Sequence, residues 1–462
     1  MMIAIRQPEN YTKFYERNMY NVKFIIQGMF MKLKLIAPKS YAEEAVNPFP
    51  PYVLLVLASL SPNWVEVIIE DENVEDINFE ESVDLVGITV IMHNAQRAFD
   101  IADVYRKKGV KVFMGGIFAE SNPDDCLMHS DSVIVSEVED MWEDILNDFK
   151  TGNYLPKYQA VKRPEISDRP IPRHDLIKDK PGYFSKNLIM ISRGCPNRCE
   201  YCSSGLHWKG QIKTRNLDEI IREIELLDPS KPIMFIDDNL IWSKDYAKEL
   251  FRALIPLKRK WISCGSCIDS VDDPELVYLA KESGCSSMLF GFETINSEAL
   301  KTSQKGFNQV EKYNNTIEIF HKLDIAVLGT FIFGLDGETY KTFENTVQFI
   351  KDSEIDMVNL NMLYPYPGTP FRERLKRENR LIEDEYENEW NTFAYNKVMF
   401  RPKNMTVEEL SKGFEYSVKE LSSREICAKR VSEAIKHNRY PQYVFNQNMK
   451  LRQHVTKMYG EY

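Results

Sequence analysis

No run of about 18 apolar residues occurs in the chain, so no stretch reads as a membrane-spanning helix. Positive charge is also short, with 59 Lys and Arg against 69 Asp and Glu and a formal net charge of −10. A nucleic-acid partner needs a basic surface for its phosphates, and this balance disfavours that class. The eight cysteines do not form a disulfide framework: Cys126, Cys264, Cys267, Cys285 and Cys427 are scattered through stretches that read as helices and strands. A reducing cytoplasm fits that usage. Residues 1–30 lack the cationic start and small-residue cleavage site of a signal peptide. They are set apart as an extension, with Met1, Met29 and Met31 all compatible with the start. What is present is ordinary soluble composition, 43% hydrophobic and 28% charged, in 462 residues, enough for two or three domains.

The remaining three cysteines share one loop, Ser192-Arg193-Gly194-Cys195-Pro196-Asn197-Arg198-Cys199-Glu200-Tyr201-Cys202, directly after an apolar run at Asn187–Ile191 that reads as a strand. Three thiolates so close together can hold three irons of a cubane 4Fe–4S cluster, which leaves the fourth iron open. Gly194 and Pro196 suit a loop that wraps a cofactor. The rival is a zinc site with His207 as fourth ligand. Structural zinc commonly closes with two CxxC-like pairs, and the second pair is missing here. Cys264 and Cys267 form a CxxC on what reads as a strand, where two small core or pocket residues are expected.

Around this loop the chain reads as α/β throughout. From 31 to 150 strands and helices alternate: Lys32–Ala37, a helix entered at Pro50, Val65–Glu70, Asp84–Val90, a helix through Arg106, Val110–Met114 and Ser132–Val135. That rhythm predicts a doubly wound, Rossmann-like parallel sheet with its ligand face at the carboxyl ends of the strands. Residues 151–186, with five prolines among charged residues, read as a linker. From 187 to 370 six βα units are expected, with strands at 187–191, Ile233–Ile236, Trp261–Cys267, Ser287–Phe292, Ile325–Phe333 and Met357–Leu363. They make a partial (β/α)6 barrel of TIM type with chemistry at the carboxyl strand ends. Asn216 with Glu219, and Thr406 with Glu409, are spaced as helix capping boxes. Residues 371–462 read as a small helical region.

The cysteine loop resembles the signature of the radical S-adenosylmethionine enzymes, including the aromatic Tyr201 just before the third cysteine. That resemblance implies a cluster on Cys195, Cys199 and Cys202. It also implies S-adenosylmethionine chelated to the open iron and cleaved reductively to a 5′-deoxyadenosyl radical. Two barrel motifs fall where such enzymes hold that cofactor. Gly291-Phe292-Glu293 resembles the fourth-strand motif whose carboxylate takes the ribose hydroxyls. Asp237-Asp238-Asn239 stands near the methionyl ammonium, with a helix cap as the bland reading. Gly329-Thr330-Phe331-Ile332-Phe333-Gly334 and Tyr364-Pro365-Tyr366-Pro367-Gly368-Thr369-Pro370 match later strand ends, where adenine and substrate contacts fall.

Residues 31–150 resemble the cobalamin-binding domain that precedes many of these enzymes. The match rests on the Pro50-Pro51 helix entry, the Asp84–Ile88 strand and Gly115-Gly116. Thr89-Val90-Ile91 stands where a Ser-x-Leu element lies under the nucleotide tail, and the paired glycines are expected to let the backbone approach that tail. The DxHxxG loop that supplies histidine to cobalt is absent, with Pro38-Lys39-Ser40 in its place. The expectation is cobalamin without a histidine on its lower face. His93 is a pocket candidate, with a surface or capping role as its rival. A Rossmann-like domain without ligand is the plain alternative.

The helical tail is similar to that of the subgroup containing hopanoid C-methylases. Together these resemblances imply a cobalamin-dependent C-methyltransferase acting at an unactivated carbon through a 5′-deoxyadenosyl radical and methylcobalamin. A cyclase or rearrangement enzyme with the same cofactors, a radical enzyme that has lost cobalamin, and a non-catalytic cofactor-binding sensor are the alternatives. A small-molecule or lipid substrate and an external electron donor of flavodoxin or ferredoxin type follow. No residue is assigned as a catalytic acid, base or nucleophile.

Overall fold

The computed structural model describes residues 30–39, 49–266, 268–382 and 397–461. The expected extension, Ser40 and Cys267 lie outside the described residues, apart from Phe30. The chain divides into two compact units.

The first unit is built on β1 (Met31–Ala37), β2 (Val65–Asp71), β3 (Leu85–Thr89), β4 (Lys111–Gly115), β5 (Ser132–Ile134) and β6 (Lys157–Tyr158). The order is β2-β1-β3-β4-β5-β6 with every pairing parallel. The strand order reverses between β1 and β3, the place where doubly wound sheets bind ligands. Leu33, Leu35, Ile36, Val86 and Ile88 are buried, the continuous apolar pattern of strands covered on both faces. The first helix runs Tyr52–Leu60, with Pro51 as its cap residue. Lys34 is fully buried, and its ammonium donates to Glu70 at 2.7 Å and to the Asn78 carbonyl at 2.8 Å.

The stretch 151–186 does more than connect. Lys157–Tyr158 joins β5 as the sixth strand because Val133 and Val135 N–H donate to the carbonyls of Pro156 and Tyr158. Beyond it, 165–171 belong to the second unit and 172–181 to the first.

In the second unit, β7 (Leu188–Ile189) is followed by a small antiparallel hairpin of β8 (Ser192–Arg193) and β9 (Lys213–Thr214). The main sheet continues with β10 (Ile233–Phe235), β11 (Trp261–Ser263), β12 (Cys285–Glu293), β13 (Ala326–Phe333) and β14 (Met357–Met362). Its order is β14-β13-β12-β11-β10-β7, all parallel. Helices Leu217–Leu226, Lys244–Leu254, Pro274–Glu282, Tyr313–Lys322 and Lys341–Asp352 alternate with these strands. The result is the expected partial barrel. Phe235, Trp261, Phe290, Phe292 and Phe331 fill its core.

Two local expectations need correction. β11 ends at Ser263, four residues before the expected Cys267. A side chain at Gly265 would lie 2.6 Å from the Asp238 carbonyl and 2.7 Å from that of Asp237, so the chain leaves the strand to cross the neighbouring loop there. Asn216 makes no side-chain cap: its amide donates to Glu219, whose carboxylate also accepts from the Asp168 N–H at 2.7 Å. The Thr406–Glu409 capping box forms as expected, with both reciprocal bonds present.

The carboxyl-terminal helices are Val407–Leu421, Arg424–Lys436 and Pro441–Tyr459, the last packed against β14 at the edge of the sheet. Asp356 ties them to the amino ends of the strands. Its carboxylate accepts from Val327 N–H at 2.9 Å and from Arg439 at 3.0 Å, and its carbonyl accepts from the Asn448 amide.

Candidate active site

The cysteine loop leaves β7 and runs through β8 before reaching Cys195. Its base is fastened by Asp237, just past β10. Asp237 Oδ1 accepts from Ser192 N–H at 2.6 Å and from Ser192 Oγ at 2.7 Å, and the Ile191 N–H lies 3.2 Å away. Burial pushes this carboxyl up to about 7, against the pull of those bonds. The role the chain itself gives Asp237 is therefore to hold the loop's first residues. Gly194 has a φ of +98°, and a side chain there would strike the Gln211 carbonyl at 2.2 Å. Only glycine fits.

Cys199 is buried, while Cys195 and Cys202 are half-buried. Burial pushes the Cys199 thiol up to about 11, with Lys305 pulling it down and Cys202, Glu293 and Cys195 pushing it further up. Burial also raises Cys195, and Cys202 adds to that shift. The three thiols thus sense one another across a small space, and a bound metal's positive charge is what would favour their thiolates. Three thiols on one loop match the donor set of a cubane, which takes one thiolate on each iron. The loop fits the cluster.

Glu293 ends β12 in the left-handed region, φ +65°, where the pairing with β13 shifts register. A non-glycine residue there is a strained feature of the kind that gathers at functional sites. Its carboxylate pairs with Lys305 at 2.5 Å, both side chains being buried. Gly291 makes room, since a side chain there would meet Glu293 Oε1 at 2.7 Å and Lys305 Nζ at 2.9 Å. Lys305 carried no sequence signal. The backbone brings this pair beside the cysteine loop, since the Glu200 N–H donates at 3.1 Å to the carbonyl of Ser303, two residues before Lys305.

The other expected residues are distributed as follows. Asp238 is exposed and accepts from Ser204 Oγ at 2.8 Å, next to the cysteine loop. Asn239 is buried, and its side-chain oxygen faces the Ile241 N–H within its own turn. Thr330 donates its hydroxyl to the Phe290 carbonyl at 3.0 Å. Tyr201 is buried, and burial together with Glu293 and the thiols drives its phenol well up. Burial raises the Tyr366 phenol, and Cys202 adds to that shift. Cys264 sits beyond β11, its thiol pushed up to about 12 by burial and by Asp237.

Sequence reasoning missed two anchors. Glu338 is buried and accepts from Thr294 Oγ1 and from the Gly334 and Leu335 N–H groups, fixing the turn after β13. Glu200, inside the cysteine motif, forms a two-pronged ion pair with Arg374.

In the first unit, Thr89 and Ile91 are half-buried at the carboxyl end of β3. The turn is shaped by Asn94, whose amide oxygen accepts from Ile91 N–H at 2.8 Å while its NH₂ reaches the Pro38 carbonyl beyond β1. The paired glycines behave differently from each other. A side chain on Gly116, at φ +109°, would lie 2.6 Å from the Val90 carbonyl, so this glycine is required by the chain's own backbone. One on Gly115 would meet only Ile134, at an ordinary 3.5 Å. His93 lies in the short turn Met92–Asn94, and burial lowers its pKa.

Comparison with known proteins agrees with this geometry. Residues 189–350 match the Radical SAM superfamily. Bacteriochlorophyllide d C-12(1)-methyltransferase of Chlorobaculum tepidum is 29% identical over 396 residues, covering 83% of this chain and 85% of that protein. Hopanoid C-2 methylase of Rhodopseudomonas palustris is 27% identical over 73% of this chain and 66% of its own. Among solved structures, the cobalamin-dependent S-adenosylmethionine radical enzyme OxsB matches with TM-score 0.64 and 14% identity over 95% of this chain and 75% of that one. The radical S-adenosylmethionine methyltransferase TsrM from Kitasatospora setae matches with TM-score 0.61 and 18% identity over 76% and 78%. At these identities the two structures establish a shared fold.

Proposed function

The chain carries a domain of the Radical SAM superfamily, and from that premise we propose that it is a cobalamin-dependent C-methyltransferase acting on an unactivated carbon. The observation that carries this reading is the joint presence of a three-cysteine loop beside a buried Glu293–Lys305 pair and a doubly wound sheet whose strand order reverses between β1 and β3. When bound, a 4Fe–4S cluster, S-adenosylmethionine and cobalamin would supply a carbon-centred radical and a transferable methyl group.

The chain's own part is to bind and orient. Cys195, Cys199 and Cys202 hold the cluster, and Asp237 keeps their loop in register. Glu293 offers a charged acceptor for ribose hydroxyls, and Lys305 brings an ammonium that suits the cofactor's carboxylate. Asp238 and Asn239 stand at the next strand end, Thr330 lies within β13, and Tyr201 is buried inside the loop itself. Thr89, Ile91, Gly115 and Gly116 form the floor assigned to the cobalamin tail, with Gly116 shaping it through the backbone.

The substrate class is suggested by relatives named for methylating a bacteriochlorophyllide and a hopanoid. A largely apolar small molecule or lipid is the reading. The electron donor is assigned to an external flavodoxin or ferredoxin type, and the compartment to the cytoplasm. No helix among the described residues is long and apolar enough to cross a membrane.

The test is anaerobic incubation of the reconstituted protein with S-adenosylmethionine carrying a deuterated methyl group and fractionated apolar extract. A product labelled on carbon is expected together with 5′-deoxyadenosine. Formation of 5′-deoxyadenosine with an unlabelled, altered product would instead establish the cyclase or rearrangement alternative.

A further inference from the structure

Glu200 lies between the second and third cysteines of the loop, and two separate segments grip it. Its N–H donates to the Ser303 carbonyl at 3.1 Å, and its carbonyl accepts from the Phe371 N–H at 3.0 Å. Its buried carboxylate receives Arg374 Nη2 at 2.5 Å and Nε at 3.1 Å. Arg374 does not stop there, because its Nη1 reaches Asp336 at 2.5 Å in the turn after β13. Asp336 is 4% exposed and also takes a two-pronged contact from Arg380, at 2.7 and 3.1 Å. Burial alone would raise the Asp336 carboxyl, yet Arg380 and Arg374 outweigh it and hold it near 2. Arg380 in turn donates to the Arg401 carbonyl at 2.7 Å. One ladder of alternating charge therefore runs from the cysteine loop through the helix Pro370–Arg377 to the chain beyond it.

We propose that Arg374 is the positioning residue of the cysteine loop, holding Glu200 so that Cys199 and Cys202 are arranged before a cluster arrives and compensating the carboxylate's charge once one is bound. The proposal rests on the reading of this loop as a cluster site. A carboxylate out of water is tolerated only when paired, and removing one member of a buried pair leaves the other uncompensated. An uncompensated Glu200 would either leave its place, dragging the residues between two ligands, or stay and oppose the electron that a reduced cluster must accept. Removing both charges avoids each outcome. Arg374 touches neither cysteine in this scheme and acts only through Glu200.

The experiment uses the full chain in two states. In the cluster-free protein, hydrogen exchange of the Glu200 and Cys202 amides should rise roughly tenfold or more in Arg374→Gln. It should stay close to wild type in the Glu200→Gln/Arg374→Gln double variant. In the reconstituted protein, dithionite titration followed by electron paramagnetic resonance should show a more negative midpoint potential in Arg374→Gln than in wild type. The double variant and Arg374→Lys should shift back toward wild type. Unchanged exchange and potential in Arg374→Gln would overturn the proposal. So would equal damage in the single and double variants, which marks a merely structural contact. A wild-type chain that takes up no cluster would instead defeat the reading of the loop, a separate result.

Discussion

At the carboxyl ends of the barrel strands the loops are fixed by buried charge. Asp237 fastens the base of the cysteine loop, Lys305 pairs with Glu293, and Arg374 joins Glu200 to Asp336. At the carboxyl ends of the first unit's strands Arg97 pairs with Glu72 just past β2, but the turns after β3 and β4 are shaped by backbone and one amide. Asn94 bridges the turns after β1 and β3, and Gly116 lets the turn after β4 rest on Val90. That unit buries a further ion pair, Lys34–Glu70, within the strands. The difference fits what the proposed function asks each region to hold. Charge held in a dry site gives a small, highly charged cofactor an environment that costs no reorganisation. A large ligand laid along a sheet edge needs shape and close backbone approach instead.

The sharpest way to break this comparison is to remove a ligand from the charged region. Cys199→Ala should lose most iron and all reductive cleavage of S-adenosylmethionine, while Cys264→Ser should keep both. Iron analysis of the two variants decides it, and full iron in Cys199→Ala would refute the cluster assignment. A smaller effect is expected when only a counter-charge is removed. Lys305→Met leaves the Glu293 carboxylate buried and unpaired, which should cost about 3 kcal/mol of stability by denaturant unfolding. Glu293→Gln keeps the size but loses the charge, so S-adenosylmethionine affinity should fall about fivefold or more by equilibrium binding. Unchanged affinity with intact iron would move the ribose contact elsewhere.

The turns after β3 and β4 of the first unit should respond to backbone rather than charge. Gly116→Ala is expected to destabilise by more than about 1 kcal/mol, because alanine must adopt a positive φ against the Val90 carbonyl. Gly115→Ala should stay within about 0.5 kcal/mol in the same thermal unfolding experiment. If that mild variant nonetheless loses cobalamin, its effect is on the ligand and not on the fold. Equal destabilisation by the two would erase the distinction drawn between them.

The same contrast explains what could be read in the sequence. The alternation of apolar strands and capped helices made both sheets legible, because strand and helix periods are local. The cysteines and Glu293 were legible because their chemistry is carried by neighbours in the chain. Lys305 was not, since nothing in its own surroundings marks it as Glu293's partner. The Glu200–Arg374 contact spans 174 residues, a pairing that only the folded barrel creates. Asp237 was noticed for its type, but its task of fastening Ser192 appears only when β7 and β10 lie side by side. The glycine pair misled in part. Two adjacent glycines look alike in sequence, and only backbone geometry shows that Gly116 serves the chain while Gly115 leaves space.

The most direct test of one chain holding two different cofactor regions is metal analysis of the protein after anaerobic reconstitution with iron, sulfide and cobalamin. The predicted result is about four irons and one cobalt per chain, with Cys199→Ala losing the iron while retaining the cobalt. Iron without cobalt under every reconstitution condition would contradict the reading of the first unit and, with it, the methyltransferase assignment.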